Sequence, residues 1–107
     1  MKIYLAGPMT GIKDWNFPAF NKAQKELEAL GYEVENPASH GCGLDHPWEY
    51  YLKMALTQML TCDIIVVLPG WTASEGAVLE VDTGAAVNIG YSTFSSFIHI
   101  DTGTKPK

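Results

Sequence analysis

The stretch CDIIVVLPGWTASEGAVLE, residues 62–80, decides the fold. Ile64 to Leu68 is a continuous apolar run, as expected of a strand buried on both faces of a parallel sheet. Pro69-Gly70-Trp71-Thr72 then reads as a turn, because proline presets φ and glycine supplies backbone freedom. Ser74 is placed to cap a new helix by accepting a bond from one of its free N–H groups. A strand, a turn and a capped helix in that order put Ser74, Glu75 and Gly76 at a strand's carboxyl end, where open α/β sheets bind ligands. Glu80 falls in the second turn of the helix, within reach of the same cleft.

Upstream, Lys2 to Ala6 is a short apolar strand running into Gly7-Pro8-Met9-Thr10-Gly11. This loop is not G-x-G-x-x-G, so a dinucleotide-binding reading fails. Asn16 is a candidate N-cap with Pro18 in the first turn, and Phe20, Ala23, Leu27 and Leu30 recur at helical spacing up to a stop at Gly31. Tyr32 to Glu35 alternates as a short edge strand before Asn36-Pro37. Residues 36–47 form a long loop, a candidate lid or substrate wall. Asp45 or His46 is expected to cap a second helix, with Pro47 near its start and an apolar stripe of Trp48, Leu52, Ala55, Leu56 and Met59. The helix after Ser74 is expected to run through Val81, Ala85 and Ala86 towards Gly90. A fourth strand is expected within Phe94 to Ile100, centred on Phe97-Ile98-His99-Ile100.

The order βαβαβαβ with short connections implies an α/β fold: a Rossmann-like parallel sheet of four or more strands with helices on both faces. With strand one beside strand three the order is 2-1-3-4. The loops after those two strands then diverge, and Thr10 and Gly11 face Ser74 and Gly76 across a cleft.

The chain has 107 residues, 47% of them hydrophobic and 18% charged, which suits one small globular domain over residues 1–107 with a fraying tail at 103–107. A net charge of −5 without a Lys/Arg cluster argues against a nucleic acid polymer or an anionic membrane as partner. Cys42 and Cys62 form no C-x-x-C, and neither a signal peptide nor a stretch of membrane-spanning length is seen, so a cytoplasmic protein with reduced thiols is expected. His40, Cys42 and His46 offer only three ligands separated by flexible glycines, and neither a metal nor a cofactor is expected.

Each candidate site residue has two readings. The Ser74-Glu75-Gly76 helix start is either an anion site or a plain capped helix. Glu80 faces either solvent or the cleft, and from the cleft it can attack an anomeric carbon. Tyr4 either orients Glu80 or is core with a satisfied hydroxyl. Trp71 either stacks on a base or covers the core edge. Gly7 and Gly11 are turn residues whose freedom also lets a loop wrap a sugar or phosphate. Asp63 lies at the far end of its strand and is expected to hydrogen-bond there.

Taken together, IYLAGPMTG (residues 3–11), Asn36-Pro37, Trp48-x-x-Tyr51, CDIIVVLPGW (62–71) and S-x-G-A-x-x-E (74–80) resemble the DUF4406 family, which is related to nucleoside 2-deoxyribosyltransferases. The resemblance implies a flavodoxin-like fold. It also implies an N-glycosidase or deoxyribosyltransferase acting at C1′ of a 2′-deoxynucleoside or its 5′-monophosphate. Glu80 would be the nucleophile and Tyr4 its neighbour. Gly7, Met9, Thr10, Gly11, Trp71, Ser74 and Gly76 would bind the substrate. The serine at position 74 resembles the nucleotide-hydrolysing relatives, which favours a monophosphate. The resemblance further implies homodimers or larger homo-oligomers, with a neighbour's residues closing the pocket. Two positions depart from the pattern: Ala55 stands where family members usually carry an aspartate near the leaving base, and Glu75 where a basic residue is common. These departures point to a substitute acid (Asp14, Asp45 or His40), a slower enzyme, or a catalytically inactive nucleotide-binding module.

Overall fold

The computed structural model describes residues 1–9, 11–37 and 47–101. The strands are β1 (Lys2–Ala6), β2 (Glu33–Glu35), β3 (Ile64–Val67) and β4 (Gly90–Thr93). The helices are α1 (Phe17–Ala29), α2 (Trp48–Met59), α3 (Glu75–Ala86) and α4 (Phe94–Asp101). The strands form one parallel sheet in the order β2-β1-β3-β4. In register, Tyr4 stands beside Glu35 on one side and Ile65 on the other.

Strand alternation divides the core into two layers. Ile3 and Leu5 point to the face covered by α1 and α4, where they meet Phe20, Leu27, Val66 and Phe97. Tyr4 and Ala6 point to the opposite face, where α2 and α3 supply Met59, Ala77 and Val81. Phe20 and Leu27 are fully buried, and each contributes roughly 2–3 kcal/mol by leaving water. Leu30, expected in the same stripe, is instead exposed.

Helix ends follow local chemistry. α1 ends as expected at Gly31, whose φ is +96°; the Gly31 and Tyr32 amides donate back to the Glu28 and Leu27 carbonyls, closing a Schellman turn. α3 ends the same way but earlier than expected. Asn88 takes φ +64°, and the Asn88 and Ile89 amides donate to Ala85 and Gly84. Asn16 does not cap α1 with its side chain; it is left-handed, and its Nδ2 donates to the Pro8 carbonyl at 2.9 Å. Pro47 holds the N-cap position of α2, while Asp45 and His46 lie outside the described residues.

The fourth strand is displaced from its expected place. It is Gly90–Thr93, and the expected strand segment is α4. Phe94, Phe97 and Ile98 recur at i, i+3 and i+4 and pack together on the α1 side of the sheet. Thr93 starts the helix by accepting the Ser96 amide on its Oγ1 at 3.3 Å. Among the described residues, no helix is long and apolar enough to cross a membrane.

Candidate active site

β3 ends at Val67, and the Leu68 amide still donates to the Ala6 carbonyl, so β1 and β3 leave the sheet side by side. The loops that follow touch at their roots and then lead to opposite faces of the sheet, the first to α1 and the second to α3. A Cβ on Gly7 would stand 3.0 Å from Leu68 Cβ, and one on Gly70 would stand 3.4 Å from Pro8 Cγ. Glycine is therefore what allows the β1 loop to lie against β3. Gly70 has φ +86° and feeds a short 3-10 turn, Trp71–Ala73, which delivers Ser74 to the start of α3. Ser74 Oγ accepts the Ala77 amide at 3.2 Å, so the expected cap is present.

From that start the helix turns Ala77, Glu80, Val81 and Gly84 into the protein. Glu80 is 6% exposed and Tyr4 fully buried. The Tyr4 hydroxyl donates to Glu80 Oε2. Glu80 therefore does not face solvent, and Tyr4 is a core residue whose hydroxyl is satisfied by Glu80. Tyr4 belongs to a hydrophobic cluster with Ala6, Met59, Ala77 and Val81, against which Ala55 and Leu56 of α2 pack.

Two influences act on the Glu80 carboxyl. Burial raises it from the usual 4.5 to about 7, opposed by the Tyr4 hydrogen bond, which favours the ionised form. Burial, and then the adjacent Glu80 charge, push the Tyr4 phenol well above its usual value, so it keeps its proton and remains the donor. A carboxyl that titrates near neutrality, held by a fixed hydroxyl, is equipped for nucleophilic or proton-transfer chemistry.

The remaining candidates divide. Gly76 lies in the first turn of α3, and a Cβ there would meet nothing within 4 Å. Glu75 is exposed beside it. Trp71 packs on the Tyr4 side of the core and meets the Tyr91 ring at 5.2 Å between centroids, tilted by 58°. It lies at the core edge beside Tyr91, a partner that the strand pattern does not indicate. Met9 packs on the opposite layer, with the Ile3 and Leu5 cluster, so it is not brought to the Tyr4–Glu80 pair. Gly11 is exposed at φ +82°, and Thr10 lies outside the described residues. Asp63 joins the far ends of the strands, its Oδ2 accepting the Lys2 amide at 2.8 Å. His40, Cys42, Asp45 and His46 lie outside the described residues, and among the described ones no three His, Cys, Asp or Glu side chains are grouped to hold a metal.

The fold is similar to that of a 2-deoxyribosyltransferase from the psychrotolerant bacterium Bacillus psychrosaccharolyticus, with a TM-score of 0.68 and 21% identity over 87% of this chain and 71% of that one. At that identity the likeness establishes a shared fold. A search among curated proteins finds no match. The family model described as "Domain of unknown function (DUF4406)" matches residues 1–91. With most of its length matched, the chain belongs to the DUF4406 family.

Proposed function

We propose that the protein cleaves the N-glycosidic bond of a 2′-deoxynucleoside 5′-monophosphate, as a hydrolase or as a deoxyribosyltransferase. The observation that carries this reading is the buried Glu80 carboxylate held by the Tyr4 hydroxyl, on the helix that begins at Ser74. Glu80 attacks C1′, the base departs, and a deoxyribosyl ester forms on the carboxylate. Water or a second base then takes the sugar. Tyr4 fixes the carboxylate and favours its ionised form. The capped start of α3, with open space at Gly76, suits the 5′-phosphate, whose charge the helix N-terminus attracts.

The test is release of free base from each of the four deoxynucleoside monophosphates, followed by chromatography, with Glu80→Ala alongside. Release by the wild type and not by the variant supports the reading. Release that survives in Glu80→Ala refutes it.

A second reading is a nucleotide-binding module without catalysis, favoured by Ala55, which offers no proton to a leaving base from α2. It predicts a thermal shift with a deoxynucleotide, no base release, and nearly unchanged affinity in Glu80→Ala.

A further inference from the structure

β4 lies at the edge of the sheet, beside β3. The helix that follows it, α4, brings Phe97 to the layer of Ile3 and Leu5 on the α1 side. Tyr91 is level with Ile65 in the parallel register, and Ile65 belongs to the other layer, so the Tyr91 ring stands on the α3 side. There the flank of α3, the turn at Trp71 and the edge strand border an open groove of about 650 Å³, a size that suits a small molecule. Val78, Val81, Asp82 and Ala85 line it from α3, and Trp71 and Tyr91 from the turn and the strand. The groove is distinct from the Tyr4–Glu80 pair. At about 100° per residue, Asp82 stands about 200° round α3 from Glu80. One carboxylate is turned into the protein, and the other is exposed along the groove.

Two kinds of group meet in this groove. The Trp71 and Tyr91 rings stand 5.2 Å apart between centroids and are tilted by 58°, which makes a corner of two aromatic surfaces. Tyr91 is 52% exposed, so its surface is open to a ligand. Ring faces carry partial negative charge and attract cations. Asp82 adds a full negative charge to the same lining, and among the described residues its carboxylate makes neither a hydrogen bond nor an ion pair. The net charge of −5 adds a longer-range attraction of the same sign.

We propose that the groove binds a small organic cation with an alkylated ammonium head, held against the Trp71 and Tyr91 rings with its charge towards Asp82. Alkylation matters because the rings, with Val78, Val81 and Ala85, offer apolar surface that methyl groups cover. A bare ammonium or a metal ion would give up water there for too few oxygen partners. The inference is independent of the reading of Glu80 as nucleophile.

The experiment titrates the protein with choline and with 3,3-dimethylbutan-1-ol, which share shape and hydroxyl and differ in the charge of the head. Amide NMR shifts report both the position and the affinity of binding. Choline is expected to move the amides of Trp71, Asp82 and Tyr91, and to bind at least about fivefold more tightly than the alcohol. Asp82→Asn removes the charge, and Tyr91→Leu removes the ring while keeping an apolar side chain on the strand. Each variant, checked for folding by its melting temperature, is expected to weaken choline at least about threefold and to leave the affinity for the alcohol nearly as it was.

Equal affinity for the two compounds would make the groove an apolar surface without preference for charge, and would overturn the proposal. So would shifts confined to other parts of the chain, or choline binding that survives both substitutions. Choline binding that is lost in Glu80→Gln and kept in Asp82→Asn would place the cation at the buried carboxylate, which overturns it as well. An absence of shifts with choline at tens of millimolar would overturn it outright.

Discussion

The Tyr4 hydroxyl on β1 donates to the Glu80 carboxylate on α3, joining two residues 76 positions apart inside an apolar layer. The burial of Glu80 in that layer, which outweighs the Tyr4 hydrogen bond, makes stability and activity respond to pH in opposite directions. Because the folded-state value of Glu80 is raised, the folded protein binds a proton that the unfolded chain has lost between pH 4.5 and about 7. The stabilisation is therefore fully present below 4.5 and is lost as pH rises through 7, by roughly 3 kcal/mol across the interval. Denaturant unfolding of wild type at pH 5 and pH 8 should show that loss, and Glu80→Gln should lack it. Base release requires the ionised carboxylate. It should climb about tenfold per pH unit below 7 and level off above it.

Tyr4→Phe removes the donor and keeps the ring. Glu80 then loses the one influence that favours its charge, so the activity profile should move to higher pH. The carboxylate also remains buried with an unmet acceptor, a loss of about 1–3 kcal/mol, larger at pH 8 than at pH 5. A pH-rate profile beside melting curves at both pH values checks the pair of expectations. An unmoved profile would mean that Tyr4 only fills space.

β1 and β3 were legible because they are buried and read as apolar runs with glycine and proline after them. Ser74 and Glu80 were legible for the same reason, since both are fixed by spacing from the end of β3. What the sequence hid depended on tertiary context. Phe97-Ile98-His99-Ile100 is apolar enough for either structure, and its helical form follows from Phe94, Phe97 and Ile98 sharing one face, with Thr93 as cap. The end of α3 was hidden because Asn88, not a glycine, takes the left-handed position. Met9 sits in a substrate-like motif yet packs on the layer away from Glu80, and no local pattern reports to which face a loop side chain turns.

Asp14, Trp15 and Asn16 hold φ values of +54°, +55° and +61° in succession immediately before α1. Asparagine tolerates this region, and its side chain also ties the helix start to the Pro8 carbonyl. Asn16→Ala should lose both advantages, about 2 kcal/mol in all, whereas Asn16→Gly should lose only the hydrogen bond, about 1 kcal/mol. Equal losses on denaturant unfolding would show that the backbone conformation carries no penalty here.

Gly84 lets α3 approach β3. A Cβ there would stand 2.8 Å from Ile65 Cδ1 and 3.1 Å from the Ile89 carbonyl oxygen. The isoleucine methyl can move; the carbonyl accepts no such adjustment cheaply, because Ile89 belongs to the turn that ends the helix. Alanine gains about 1 kcal/mol in helix propensity, and overpacking of this kind loses about 1–3 kcal/mol. Gly84→Ala should therefore be net destabilising by roughly 1 kcal/mol. Because α3 also carries Glu80, base release should fall further than the stability loss explains, and assaying it well below the melting transition separates the two effects.

Ser74 joins the stability of α3 to the proposed recognition of phosphate. Its Oγ accepts the Ala77 amide, so Ser74→Ala frees that donor and should destabilise by about 1 kcal/mol. Ser74→Asp preserves the cap and places a negative charge where a 5′-phosphate is expected. The two variants therefore separate the roles. If the helix start binds phosphate, Ser74→Asp should melt close to wild type yet raise KM for a deoxynucleoside monophosphate about tenfold, through like-charge repulsion, and barely alter KM for the free deoxynucleoside. Equal effects on both substrates would place the phosphate elsewhere, and leave Ser74 as the cap that sets the first turn of α3 and, through it, the position of Glu80.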